Sequence, residues 1–198
     1  MKSILMSIRP EWARKIFNGE KTIEVRKSRP AIPTPFKVYV YCTKERMTRV
    51  PSMYAYLHKN EPRACAEYGT IETWGKIGDV IVNPHLASKH VSFGMHGKVI
   101  GEFVCDKITC CQAYYGSSGE GHLTNLFGIE CKRACLSEQE LFDYITGNGG
   151  KMGTGWLWHI AEPKLFDKPK ELSEFFDRKG EPIKRAFQSW GYCYGQKN

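Results

Sequence analysis

The chain has 198 residues, of which 41% are hydrophobic and 13% aromatic, enough to bury the core of a single domain. No stretch approaches the about 18 consecutive apolar residues of a membrane helix, and the N-terminus is too short and too soon charged for a signal peptide. We therefore expect a cytoplasmic protein without a membrane partner, in which the eight cysteines are reduced thiols.

Positive charge is concentrated near the N-terminus. The formal net charge is +8, and residues 1–30 contain eight Lys or Arg against three Glu. A basic segment of this kind favours a polyanionic partner, most commonly nucleic acid. The alternative is a basic surface that is merely solvated.

The first thirty residues predict a strand, a helix and a second strand. Residues 2–8 alternate between the two faces of an extended chain, which is typical of a strand. Pro10 suits the first turn of a helix, and Asn18-Gly19 suits its end because glycine tolerates the left-handed conformation there. The β-branched residues of 21–26 then predict a second strand.

The rest of the chain predicts more strands with a few helices between them. Strands are predicted at 37–42, 78–82, 97–110 and 156–160, and helices at 47–58, 137–147 and 169–172. Gly101 predicts a bulge or a bend within its strand, and the Gly/Ser-rich segment 114–121 predicts a mobile loop. The aromatic tail 187–194 is expected to pack back on the body.

Several strands without a regular βαβ alternation predict an α+β fold, namely a small β-barrel of mixed strands flanked by helices. Small barrels of this kind commonly bind nucleic acids or their parts. No internal repeat or low-complexity segment divides the chain, so residues 1–198 are predicted to form one domain.

Three ionisable side chains lie close together in the second predicted strand. Side chains alternate along a strand, so Glu24 and Arg26 should share one face about 7 Å apart, while the alternate apolar residues point into a core. Lys21 lies just before the strand, where a turn would direct its amine to the same place.

This segment resembles the signature of ASCH domains, whose core pattern is G-x-K-x-x-E-x-R. Gly19, Lys21, Glu24 and Arg26 match its four fixed positions, and Ser7-Ile8-Arg9-Pro10 with the following helix matches its context. Segments at 41–43, 97–103, 158–160 and 169–172 are similar to the later strands of phage and bacterial members. The resemblance is continuous over the N-terminal fifth of the chain.

The resemblance implies a PUA-like β-barrel with a cleft lined by the motif, and insertions at 44–80 and 110–155. Related PUA-like domains bind RNA, often at modified bases, so the implied partner is RNA, a single-stranded nucleic acid or a modified nucleoside. Some ASCH proteins are amidohydrolases that deacylate N4-acetylcytidine, and some are ribonucleases. The small deacylating members carry Thr where this chain has Glu24. No cofactor is implied.

The predicted function is the binding of RNA or a nucleotide in a Lys/Glu/Arg-lined cleft. The expected ligand-binding residues are charged or aromatic side chains near the motif: Arg9, Trp12, Lys21, Glu24, Arg26 and Tyr41. Arg26 would clamp a phosphate, and Trp12, Tyr39 and Tyr41 are candidate platforms for stacked bases.

Two other functions and one structural role remain open. In a hydrolase acting on acylated nucleosides or on RNA, Lys21 would lose its proton and act as base or nucleophile, and Glu24 would transfer a proton or activate water. The chain would otherwise be a protein-interaction module of a phage or defence system. In a purely structural role, Glu24 and Arg26 form a surface ion pair and Lys21 is solvated. For a functional site, Lys21→Ala should keep the fold and abolish binding or turnover.

A zinc site is not expected. Its candidate ligands are five cysteines at positions 105–135 and three histidines at positions 85–96, but no C-x-x-C pair occurs. Trp156 and Trp158 are expected to fill the core. His159 is expected on the opposite face of its strand, where a hydrogen-bonded sheet histidine is the ordinary role and a cleft residue the alternative.

Overall fold

A computed structural model describes residues 2–44, 96–125, 128–147 and 150–194. Several features predicted above lie outside these ranges: the helix at 47–58, the strand at 78–82, the histidines His85 and His90, and all but the first residue of the insertion at 44–80. The single-domain organisation and the two insertions stay predictions.

Within the described ranges the chain forms seven strands, three helices and one 3₁₀ turn. The strands are β1 (Lys2–Ile8), β2 (Ile23–Arg26), β3 (Phe36–Cys42), β4 (Lys98–Tyr115), β5 (Gly121–Leu123), β6 (Met152–Lys170) and β7 (Trp190–Tyr194). The helices are α1 (Pro10–Phe17), α2 (Ile129–Ala134) and α3 (Glu138–Thr146), and the 3₁₀ turn spans Leu172–Glu174. None of the helices in this part of the chain has the length and apolar character needed to cross a membrane.

All seven strands belong to one mixed sheet. Its order is β2-β6-β4-β3-β1-β7, and β5 pairs with the far end of β4. β1 and β3 run parallel, whereas the other pairs are antiparallel. The predicted α+β class, with mixed strands flanked by helices, is confirmed.

Side chains join the two ends of this sheet. In the described part of the chain no backbone ladder connects β2 with β7. Instead, Arg26 at the end of β2 donates hydrogen bonds to the Ser7 carbonyl of β1 at 2.7 Å and to the Ser189 hydroxyl at 3.2 Å. Trp190 Nε1 of β7 donates to the Ser28 hydroxyl at 3.1 Å. The sheet therefore curves until its first and last strands are neighbours.

The long strands β4 and β6 extend beyond their predicted bounds. The strand predicted at 97–110 continues to Tyr115, and the one predicted at 156–160 runs from Met152 to Lys170. The loop predicted at 114–121 is wrong at both ends, because Tyr114 and Tyr115 pair with β5, which begins at Gly121. The partners of β4 in β6 are distant in sequence, and local composition does not reveal such pairing. Helix α2 was also missed, because six residues are too few to show a helical period.

The hydrophobic core lies on both sides of the sheet. One cluster joins alternate residues of β1, β3, β4 and β6, including Trp158, to Ala13, Ile16 and Phe17 of α1. A second packs Ile23 of β2 under α2 and α3. A third contains Cys193 of the aromatic tail, which confirms that this tail packs on the body.

Gly101 lies at the bulge that its sequence position predicted. The β4–β6 register shifts between Val99 and Gly101, and the ring of Phe17 packs directly over the glycine. A Cβ at this position would lie 2.5 Å from Phe17 Cζ and 2.5 Å from the Lys164 carbonyl oxygen. α1 can therefore pack this closely on the sheet only if residue 101 is glycine.

We predict that Gly101→Ala lowers the free energy of unfolding by about 1–3 kcal/mol, because the added methyl group overpacks the contact with Phe17. The measurement is the urea midpoint followed by circular dichroism. The control is the same substitution in a Phe17→Leu background, where the shorter side chain relieves the contact. Equal losses in the two backgrounds would show that close packing of Phe17 over Gly101 is not the constraint.

Candidate functional site

A cavity of about 700 Å³ opens above the start of β2. Its floor contains Lys21, Glu24 and Arg26, and Arg9 and Trp12 contribute one part of its wall. Five of the six predicted ligand-binding residues therefore line one cavity.

Tyr41, the sixth predicted residue, does not line this cavity. β3 alternates between its two faces, and its odd-numbered tyrosines pack with a different cluster that includes Leu5 and Phe175. The ring of Tyr39 lies 4.9 Å from that of Phe175. Neither tyrosine is therefore a platform for a ligand in this cavity.

The three charged side chains of the floor are buried. Lys21 is 3% exposed, Glu24 8% and Arg26 9%. As expected from the strand period, Ile23 and Val25 point to the other side and pack with α2 and α3. Lys21 is therefore not solvated and the Glu24–Arg26 pair is not a surface ion pair, in contrast to the expectation for the purely structural alternative.

The end of α1 and the docking of α2 hold Lys21 in place. Gly19, with φ of 77°, ends α1, and the backbone N–H of Lys21 donates to the Lys15 carbonyl. The Lys21 amine donates to the Ala134 carbonyl at the end of α2 at 2.6 Å, and lies 3.4 Å from Glu24 Oε2. Lys21 thus connects β2 with α2.

Arg26 connects the other oxygen of Glu24 to β1. Its Nη2 lies 2.9 Å from Glu24 Oε1 and 2.7 Å from the Ser7 carbonyl oxygen. Its Nε is buried without a hydrogen-bond partner in the described ranges. Arg26 therefore meets the cavity through the remaining part of its guanidinium group, which is among the lining residues.

The charges that line the cavity do not cancel. Lys21 and Arg26 share the single carboxylate of Glu24, so the buried trio carries one excess positive charge. Arg9 and Lys27 add two more cations at the cavity lining. Glu140 is the one further carboxylate among the lining residues, so positive charge remains in excess.

Two lining residues on α3 were missed by sequence reasoning. Glu140 completes a capping box with Ser137, and the hydrogen bonds from the Ser137 backbone and hydroxyl lower the pKa of its carboxyl group. Tyr144 is 39% exposed and lines the cavity. Burial raises the pKa of Tyr144, while Arg26 acts in the opposite direction. Tyr144 lies one helical turn after Glu140, at the edge of the apolar stripe. This spacing indicates that the two side chains share one side of α3, and it was available from the sequence.

The remaining sequence candidates lie away from the cavity. His159 Nε2 lies 3.1 Å from the Thr109 hydroxyl, so it is a hydrogen-bonded sheet histidine. Trp158 is fully buried in the core, as predicted, and Trp156 packs against it partly buried. In the described ranges no three His, Cys, Asp or Glu side chains are grouped to hold a metal ion. Burial raises the pKa of Cys105 to about 12, which keeps it a thiol.

The fold is similar to that of known ASCH structures. The crystal structure of ASCH from Zymomonas mobilis matches with a TM-score of 0.51 and 17% sequence identity, over 96% of this chain and 86% of that one. Two variants of the same protein, a Tyr-to-Phe and a Ser-to-Ala substitution, match at 17% identity with TM-scores of 0.46 and 0.48, over 87% and 96% of this chain and 77% and 87% of theirs. No family model and no curated protein matches the chain. The resemblance predicted from the motif is confirmed for the fold.

We predict that Glu24→Gln destabilises the protein more than Lys21→Met. Removing the carboxylate leaves two buried cations unpaired, which should cost about 3–5 kcal/mol. Removing the amine leaves a neutral pair and one unsatisfied carbonyl, which should cost about 1–2 kcal/mol. Urea titrations of both variants measure the difference.

The matched control for this experiment is Glu102→Gln. Glu102 pairs with Lys37 at 2.8 Å, but the lysine side chain is 42% exposed. We expect a loss of less than about 1 kcal/mol, as for other exposed pairs. If Lys21→Met were as destabilising as Glu24→Gln, the excess charge of the trio would not be the dominant effect.

We also predict that His159 makes the protein less stable in acid. Burial lowers the pKa of His159 below its usual 6.5, and Arg133 and Lys107 lower it further, against a smaller opposite effect of Asp106 and Glu130. The unfolded chain therefore binds a proton more readily than the folded one, so stability falls as the pH drops through about 6.5.

The measurement is the melting temperature as a function of pH from about 7.5 to 5. His159→Gln should remove part of the decline, whereas the control His122→Gln, at an exposed imidazole, should not. An unchanged profile in His159→Gln would contradict the assignment.

Proposed function

We propose that this protein, with its ASCH-like fold, binds single-stranded RNA or a nucleotide in the cavity above Lys21, Glu24 and Arg26. The observation that carries the proposal is the sharing of one buried carboxylate by two buried cations. An excess charge at the floor of a cavity is costly unless an anion compensates it. A phosphate group supplies that charge.

Several donors are available to a phosphate in this cavity. Arg26 lines the cavity, and a guanidinium group suits phosphate oxygens. Arg9 and Lys27 are exposed lining residues, so they can follow a backbone that leaves the floor. Phosphate contacts of this type provide affinity without base preference.

Aromatic side chains in the same cavity suit a base. Trp12 lies over the floor, with the Lys21 amine 5.0 Å from its ring centroid. Tyr144 is the second lining aromatic residue, and the Lys27 amine lies 5.5 Å from its ring centroid. Stacking on such rings tolerates every base. The volume of about 700 Å³ is within the range of cavities that hold small ligands.

We predict that Arg9→Ala and Lys27→Ala weaken the binding of a short labelled oligouridylate. Each lost phosphate contact should reduce the slope of log affinity against log salt by about 0.7. Fluorescence anisotropy over a salt series measures both quantities. Because both side chains are exposed, their loss should leave the fold intact.

Lys168→Ala and Lys179→Ala are the matched controls, since both lysines are exposed and neither lines the cavity. They change the net charge by the same amount as the test variants. If the two sets weaken binding equally, RNA is held by the general charge of the protein, and the cavity is not the binding site.

A hydrolase acting on acylated nucleosides or on RNA is the second candidate. It is favoured by the contact of 3.4 Å between the Lys21 amine and Glu24, an arrangement that suits proton transfer at the cavity floor. Mass spectrometry of products from short RNAs and acylated nucleosides, beside Lys21→Ala, separates the two functions. A product that vanishes in a folded variant would establish the enzyme. If the protein neither binds RNA nor turns over any of these substrates, the protein-interaction module is the function that remains.

A further inference from the structure

The ladder between β4 and β6 continues beyond the cavity, and its two faces differ. Residues 107–114 pair with 152–159 without a bulge, so alternate pairs share one face. On one face Cys111, Ala113 and Leu157 are fully buried and pack in the cluster under α2 and α3. The helices therefore cover this face.

The opposite face emerges from the core and becomes exposed; we refer to it as the open face. Its cross-strand pairs are Ile108 with Trp158, Cys110 with Trp156, Gln112 with Thr154, and Tyr114 with Met152. Exposure rises outward, from Trp158 at 0% to Tyr114 at 40% and Met152 at 75%. The outer half of this face is thus accessible in the described structure.

The open face is continuous with the cavity. Glu24 and Arg26 pair with Trp158 and Trp156 across the β2–β6 ladder, so the cavity floor and the open face belong to the same side of the sheet. The guanidinium carbon of Arg29 then lies 4.6 Å from the centroid of the Trp156 ring. A nucleic-acid strand that leaves the cavity past Arg26 would next contact the pair formed by Arg29 and Trp156.

The chemistry of the open face suits an extended single-stranded nucleic acid. At its outer end the rings of Tyr114 and His122 are 5.4 Å apart and inclined by 31°. Residues 107–119 and 147–161 contain no Asp or Glu, and the carboxylate of Glu120 contacts His122 at 3.6 Å. Aromatic side chains are the usual platforms for unpaired bases, and Glu120 is a carboxylate at the edge of this platform.

The spacing of the aromatic groups also favours this ligand over a protein partner. The polar pair Gln112 and Thr154 separates Trp156 from Tyr114, so the face is not a contiguous apolar patch. Trp156 and Met152, which pairs with Tyr114, are four residues apart along β6, about 13 Å. Two separate stacking positions with polar groups between them match two non-adjacent bases on one extended strand.

We propose that the open face binds the single-stranded RNA that extends from the cavity, with one base at Trp156 and another at Tyr114 and His122. This inference rests on the proposed function of the cavity. It makes the ligand an oligonucleotide of several residues, because the outer aromatic pair lies beyond the reach of a nucleotide held at Arg26.

The test compares uridine monophosphate with oligouridylates of three, six and ten residues. For the unmodified protein, affinity should rise with length. In the double variant Tyr114→Ala/His122→Ala the affinity for the longer oligouridylates should fall about tenfold, the loss of one base stack. The affinity for uridine monophosphate should not change.

Tyr115→Ala is the matched control, since Tyr115 is adjacent and 47% exposed but packs on Phe142 on the covered side. It should leave every affinity unchanged. An affinity independent of length, or a double variant that binds the longer RNA normally, would overturn the inference. If Lys27→Ala still weakens uridine monophosphate binding in that case, the cavity function stands; if no RNA binds at all, both proposals fail.

Discussion

The carboxylate of Glu24 is the group on which both the fold and the candidate site depend. It contacts Lys21 and Arg26, and these cations reach α2 through the carbonyl of Ala134 and β1 through that of Ser7. β2 pairs with β6, and because no backbone ladder joins it to the other end of the sheet in the described ranges, these side chains make that contact. The same side chains therefore connect the two ends of the sheet and form the floor of the cavity.

Joining strands through buried charged side chains is costly in free energy. Desolvation of buried ions often exceeds their mutual attraction, and apolar side chains of similar volume serve as well. Here the network also leaves positive charge in excess next to a cavity, and the same side of the sheet continues outward as the open face. Both features are explained if the protein binds a polyanion, and neither is needed for stability alone.

Where a helix or strand begins at a local sequence signal, its start was predictable. β1 and α1 begin where they were expected, and Ser137 caps α3 at the predicted start of that helix, because alternation, proline and caps act within a few residues. The ends of β4 and β6 were not predictable from local sequence. Their length depends on pairing with each other across 38 to 71 residues, and pairing outweighs the loop propensity of the glycines and serines nearby.

The alternation of side chains along β2 is enough to predict that Glu24 and Arg26 lie on one face and form part of the charged floor. The burial of Lys21 depends on the tertiary fold, because its carbonyl acceptor is 113 residues away. The fold also places Tyr41 in another cluster and Tyr144 in the cavity. The side of a strand or helix that meets a cavity depends on how the element docks, and no local pattern encodes that orientation.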